Sequence, residues 1–286
     1  MLRTPLDMQT RQHKHLRRFA ERTSVSRMRH FYAAAATDVE HRLRRAVRGT
    51  QPFEAHHYRV LLRELRGALR ELAGGMAGVL SDTAREAMAD AARRTVCSTK
   101  AVAKMLTGIE PRFAVEQAAV MRGMVDGMAS SLLRRYRDLG ESSWAGATIR
   151  RMEGVMALGL AEGVSSDEIG TRLMDDGFLK ERYRADRIAR TEAMYATNSV
   201  QVLTGRAMAK DMPGLKKRIT AVLDTRTHSG CLALHGTVIG WGEAFMDPDG
   251  HSGVFPPLHP NCRCAVTAWH EDWEGGAGAE SVAEGG

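Results

Sequence analysis

The run Pro256-Pro257-Leu258-His259-Pro260-Asn261-Cys262-Arg263-Cys264 constrains this chain more than any other stretch. Each proline locks its own φ and pushes the preceding residue towards extended backbone. His259 and Cys262 therefore sit on a stiff knuckle and not on a helix. Upstream stands His228-Ser229-Gly230-Cys231, again with two residues between imidazole and thiol. That spacing lets two side chains of a tight turn converge on one ion, as in structural zinc sites.

His228, Cys231, His259, Cys262 and Cys264 compete for four tetrahedral positions. The symmetric choice is His228, Cys231, His259 and Cys262. The alternative replaces His259 by Cys264, giving three sulfurs and one nitrogen. Cys231 and Cys262 belong to both sets. Thiolate with imidazole suits zinc, whereas hard cations prefer oxygen. Four protein ligands leave no open position, so the expected Zn2+ is structural. It would supply on the order of 10 kcal/mol of folding free energy to a loop-rich, weakly hydrophobic module. A metal-free knuckle, with packed cysteines and hydrogen-bonded histidines, is the competing reading. Cys97, alone in a helical pattern, reads as a small buried apolar residue.

The net charge of +7 is unevenly spread. Residues 1–70 carry 16 Lys and Arg against 6 Asp and Glu, while residues 271–286 carry five acids and no base. A basic front half favours an anionic partner such as double-stranded DNA, bound without sequence preference. Solvated helix faces would account for many of the same arginines. Four cysteines, three of them close to histidines, are not the cysteine usage of a secreted disulfide scaffold. The basic N-terminus lacks an apolar h-region, and no apolar window approaches the length of a membrane span. The expectation is a protein made in a reducing cytoplasm with no membrane partner.

The fold class read from these patterns is mainly α with a small C-terminal α+β module. A long-helix bundle precedes a short β-hairpin and zinc-knuckle domain. Residues 1–24 form a basic arm, helical or ordered only against a partner. Residues 25–143 form a helical N-terminal region. Helices are expected over 26–47, 54–72, 76–106 and 112–137, with Gly74-Gly75 separating the second from the third. Tyr58, Leu61, Leu65, Leu69 and Leu72 fall on one helical face. Phe113, Val120, Met124, Met128 and Leu132 make a second apolar stripe. Residues 139–143 read as a linker. Residues 144–270 form the C-terminal domain, with helices over 144–162 and 180–210. Between them lies a short helix that Ser165 or Ser166 caps and that stops near Gly177. Strands follow at 218–223, 236–239 and 264–268, with a turn at Asp224 and a mobile loop at 247–253. Residues 271–286 read as an acidic disordered tail.

Enzyme motifs fail on inspection. A zinc deaminase needs His-x-Glu followed by Pro-Cys-x-x-Cys. Here Gly230 stands two residues after His228, and the later run is Pro260-Asn261-Cys262-Arg263-Cys264. Walker, G-x-S-x-G and H-E-x-x-H motifs are missing. A metal-dependent hydrolase or nuclease would have to recruit Glu192, Asp224 and His259 as acid–base groups. Arg190, Glu192 and Asp224 read more simply as an ion-pair and turn network joining helix to strands.

Arg190-Thr191-Glu192 with Asn198 is followed by Asp224-x-Arg226-Thr227-x-x-x-Cys231-x-x-x-His235-Gly236 and then by the proline knuckle. In this order the motifs resemble the phage Mu F-like head morphogenesis family over roughly residues 145–268. The family often has Cys where His228 stands and Leu where His235 stands; the first exchange keeps a metal ligand. The resemblance implies a non-enzymatic minor head protein of the virion, inside the head and made in the bacterial host cytoplasm. Its implied partners are the portal protein and the major capsid or scaffold protein. The alternative is a zinc-stabilised nucleic-acid-binding protein unconnected with capsids.

Overall fold

Helical periodicity over most of the chain produces a series of long helices, and β-branched runs near the C-terminus produce a small antiparallel sheet. The computed structural model describes residues 5–46, 51–113, 118–137, 144–173 and 181–273. Helix α1 (Pro5–Arg18) passes through a π-helical turn (Phe19–Ser24) into α2 (Val25–Ala46). Then follow α3 (Ala55–Thr107), α4 (Ala118–Arg137), α5 (Trp144–Glu162), α6 (Ser166–Leu173) and α7 (Glu181–Met208). The C-terminal part contains β1 (Lys216–Thr220), α8 (Ser229–Leu234), β2 (Val238–Ile239), β3 (Phe245–Met246), β4 (Ser252–Gly253) and β5 (Ala265–Trp269). The start of the fourth expected helix, the linker at 139–143, the stop near Gly177 and the tail from 274 lie outside the described residues.

The residues group into two units that interleave along the chain. One contains Glu21–Thr83 and Gly127–Arg190. Its core is the face of α3 expected from spacing: Leu61, Leu65, Leu69 and Leu72 are buried, with Tyr58 half-buried beside them. Met28 and Leu43 of α2, Met152 and Met156 of α5, and Ile169 of α6 complete the cluster. The Glu168 backbone N–H donates to Ser165 Oγ (3.2 Å), so Ser165 caps α6 as expected. Arg29 Nε and Nη2 grip the Asp186 carboxylate at 2.6–2.9 Å.

Gly74-Gly75 does not interrupt the helix: α3 runs for 53 residues straight through it. Two glycines cost only about 2 kcal/mol of helix propensity. Gly75 is needed for packing, since a Cβ there would lie 2.3 Å from Phe31 Cζ. Of the expected stripe, Phe113 is buried and Met124 and Met128 are half-buried, beside buried Val125 and Ala129. The side chains of Val120 and Leu132 lie outside the described residues.

The other unit contains Met1–Ala20, Ala84–Asp126 and Thr191–Gly286. Its sheet has the order β2-β1-β5, antiparallel throughout, with Ile219 opposite Val266 and Lys217 opposite Ile239. Alternation along β1 buries Lys217 and Ile219. Ile219, Val266, Val202, Met208, Trp241, Phe245 and the three clustered cysteines share a core with Val96 and Val102 of α3. The basic stretch at the N-terminus is a helix packed within this unit. The Gln12 amide donates to Thr95 Oγ1 (3.1 Å), and His15 pairs with Asp90 (2.9 Å). Cys97 is exposed, against the expectation of burial. It lies on the solvent side of α3, while Val96 and Thr99 point inwards. The expected loop at 247–253 is the turn of the β3–β4 hairpin, with Ser252 and Gly253 in β4.

Candidate metal centre

Cys231 stands on α8, which starts after the Asp224–Thr227 turn; Cys262 and Cys264 stand on the knuckle leading into β5. All three thiols are buried, and their sulfurs lie within 4.8 Å of one another. Cys231 Sγ and Cys262 Sγ are 3.8 Å apart, far beyond a disulfide bond. That separation is the edge of a tetrahedron with metal–sulfur bonds of about 2.3 Å. His259 brings Nε2 to 3.0 Å from Cys231 Sγ. Its Nδ1–H donates to the Pro260 carbonyl (3.0 Å), which leaves Nε2 facing the sulfurs. Metal-binding imidazoles are commonly fixed in this way. The gathered donors are the three thiols of Cys231, Cys262 and Cys264, with the His259 ring beside Cys231; this combination differs from both sets drawn from spacing.

His228 is placed differently. Its Nδ1 groups with the carboxylates of Asp247 and Asp249, although its ring centroid lies 4.7 Å from that of His259.

The electrostatics of the thiol pocket favour a cation. The Cys262 thiol is driven down, first by the hydrogen bond from Cys231 and then by that from Cys264. Cys231 is pushed up to about 12, first by its hydrogen bond to Cys262. Cys264 is driven up by its hydrogen bonds to Cys231 and Cys262. His259 is raised, chiefly by its hydrogen bond with Cys262. A divalent ion would remove the repulsion that keeps three sulfurs from ionising together. The donor set therefore fits a soft or borderline cation.

Residues 150–267 match the family model described as Phage Mu protein F like protein. This chain carries a Mu F-like domain. No curated protein and no solved structure matches the chain significantly.

Within the Mu F-like domain, the motif residues form one hydrogen-bonded assembly around the knuckle. Asp224 Oδ1 accepts from the Arg226 backbone N–H (3.0 Å) and from Thr227 Oγ1 (3.1 Å). Arg263 Nη1 donates to Asp224 Oδ2 (2.7 Å), and Nη2 to the other carboxylate oxygen. The Arg263 guanidinium holds the Asp224 carboxyl well below the usual carboxylate range. Asn198, fully buried on α7, donates Nδ2–H to the Cys264 carbonyl and accepts from the Val266 N–H, both at 3.0 Å. The Asn261 N–H reaches Thr191 Oγ1 (3.3 Å), with Asn261 in the left-handed region at φ 63°. His235 uses Nδ1 to accept from the Ala221 N–H (3.1 Å), a loop role and not a ligand role. Asp224 is engaged by Arg263, and His259 by Cys231 and Pro260.

Three residues of the Mu F-like domain were not singled out from the sequence. Lys217 is fully buried, and its ammonium donates to the carbonyls of Glu243 (2.6 Å), Val254 (2.5 Å) and Trp241 (3.4 Å). Burial, and then Arg206, pushes Lys217 down to about 8. Asp247, also buried, organises the hairpin turn by accepting from the backbone N–H groups of Asp249 (3.0 Å) and His251 (2.8 Å). Gly205 of α7 lies against the Trp241 indole, where a Cβ would come within 2.1 Å. The Asp247-Pro248-Asp249-Gly250 turn signature was the one available clue to Asp247.

Proposed function

We propose that this protein is a phage minor head protein acting in head morphogenesis. The observation that carries the reading is the Mu F-like domain over residues 150–267. The knitting of its motif residues around one knuckle supports it. In this reading the domain is a non-enzymatic docking module for the portal or inner shell. A structural Zn2+ on Cys231, Cys262, Cys264 and His259 ties α8 to the knuckle. The 3.8 Å sulfur separation and the fixed tautomer of His259 support that ligand set.

The basic half of the chain contacts packaged double-stranded DNA through phosphate charge. Exposed Arg59, Arg63 and Arg70 on α3 favour this, whereas Arg29, Arg42 and Arg66 are engaged by Asp186, Glu71 and Glu153. Such binding weakens steeply with salt.

Mass spectrometry of purified virions, with a pull-down on the phage portal protein, tests the assembly role. The protein is expected in a few copies per particle and in the portal fraction. Its absence from both refutes the role. Those exposed arginines also favour a second reading, a zinc-stabilised nucleic-acid-binding protein. That protein would bind DNA alone and leave the portal fraction empty.

A further inference from the structure

We propose that His228, Asp247 and Asp249 form a second divalent-cation site, with nitrogen and oxygen donors only, beside the thiol pocket. One ligand atom from each of the three lies within 4.8 Å of the others. His228 Nδ1 and Asp249 Oδ2 are 3.7 Å apart, too far for a hydrogen bond. An ion with bonds of about 2.0–2.2 Å to each would span that gap. The separation is that of two ligands across a shared cation.

The two carboxylates converge on one point. A Cβ on Gly230 would meet Asp247 Oδ2 at 2.5 Å and Asp249 Oδ2 at 2.9 Å. The bare Cα at position 230 leaves both oxygens room there. Asp247 is 4% exposed, so one of the two converging charges is buried. A divalent cation between them would neutralise both carboxylates. His251 serves one side of Asp247 already. Its Nδ1–H donates to Asp247 Oδ2 (3.0 Å), while Oδ1 is occupied by two backbone N–H groups. These bonds fix the Asp247 carboxylate, as a neighbouring hydrogen bond orients a ligating carboxylate. Imidazole with two carboxylates suits a first-row divalent ion such as Zn2+, Mn2+ or Co2+, with water in the remaining positions. The chemistry separates this site from the thiol pocket, and the proposal stands whether or not that pocket holds zinc.

The test is a Co2+ titration of the metal-free full chain, followed by optical spectroscopy and by metal analysis after gel filtration. Cobalt bound by thiolate gives intense near-ultraviolet charge transfer; cobalt bound by nitrogen and oxygen gives only weak visible bands. The wild type is expected to take up a second equivalent that adds no charge-transfer intensity. H228N and D249N should each weaken that equivalent by at least about tenfold and leave the charge transfer intact. Both side chains are substantially exposed, at 40% and 46%, so neither variant threatens folding. C262S should abolish the charge transfer and spare the second equivalent. Uptake that stops at one thiolate-bound equivalent overturns the proposal, as does uptake unchanged in both H228N and D249N. Cobalt bound without charge transfer, yet lost in H228N, sustains this site and refutes only the thiol-pocket metal.

Discussion

Arg263 reaches back 39 residues to hold the carboxylate of Asp224 with two parallel N–H···O bonds, 2.7 Å at its Nη1. The pair joins the turn before α8 to the knuckle after the hairpin, so it links the two segments that carry the thiols. Paired planar groups of this kind are stronger than single hydrogen bonds. Arg263→Met should lower the melting midpoint and loosen metal uptake, measured by calorimetry and by chelator competition. Arg263→Lys should rescue only part, because an ammonium cannot make the fork.

The same pair sets an acid limit. The folded-state pKa of Asp224 is depressed below the ordinary aspartate value by the hydrogen bonds from Arg263. Its contribution is therefore fully present above about pH 4 and is lost as pH falls further. Thermal melts between pH 5 and pH 2 should show a loss that Asp224→Asn removes. An identical pH slope in that variant would assign the loss elsewhere.

His13 adds a limit nearer neutrality. It is buried, and its Nε2–H donates to the Arg263 carbonyl (3.0 Å). Burial first, then Arg17 and His235, lower its basicity below the usual histidine value. The unfolded chain thus binds a proton that the native state refuses. Stability should be complete above about pH 6.5 and decline below it. His13→Gln, which keeps a donor, should flatten the decline in a pH series of melts.

Asn198 satisfies the Cys264 carbonyl and the Val266 N–H at the entrance to β5. Asn198→Ala leaves two buried polar groups unmet, at a cost of about 2–4 kcal/mol by denaturant unfolding. Native-state hydrogen exchange should show faster exchange at Val266 in particular.

Gly205 permits the close passage of Trp241, whose Nε1–H donates to the Leu215 carbonyl (3.0 Å). Gly205→Ala should displace the indole and destabilise by about 1–3 kcal/mol through overpacking. Helix propensity alone would have it stabilise. A change in tryptophan fluorescence with a lowered midpoint separates the two.

Chelation tests the thiol pocket. A high-affinity chelator should remove stoichiometric zinc and lower the melting midpoint sharply, because metal binding is coupled to folding. Cys264→Ser should mimic chelation, which distinguishes the gathered donor set from one that omits Cys264. A melt indifferent to chelator would leave the pocket as a packed thiol cluster.

Periodicity and turn chemistry carried the local structure in the sequence. The α3 face from Leu61 to Leu72, the Ser165 cap, the Asp224 turn and the proline knuckle all depend on residues within a few positions of one another. Such short-range stereochemistry is written in order along the chain. The same short range misled at Gly74-Gly75, where local propensity favours a break and the Phe31 ring requires a bare Cα.

The choice among metal donors was a tertiary matter. Equal spacing in the two turns made His228 and His259 look equivalent, and Cys264 optional. Packing β5 beside β1 brings Cys264 to the other sulfurs, while the hairpin draws His228 towards Asp247 and Asp249. Which residue types can bind metal was decided by the chain alone, because that is a property of side-chain chemistry. Which of them meet was decided by strand register and hairpin closure, because convergence in space depends on contacts between segments far apart in sequence.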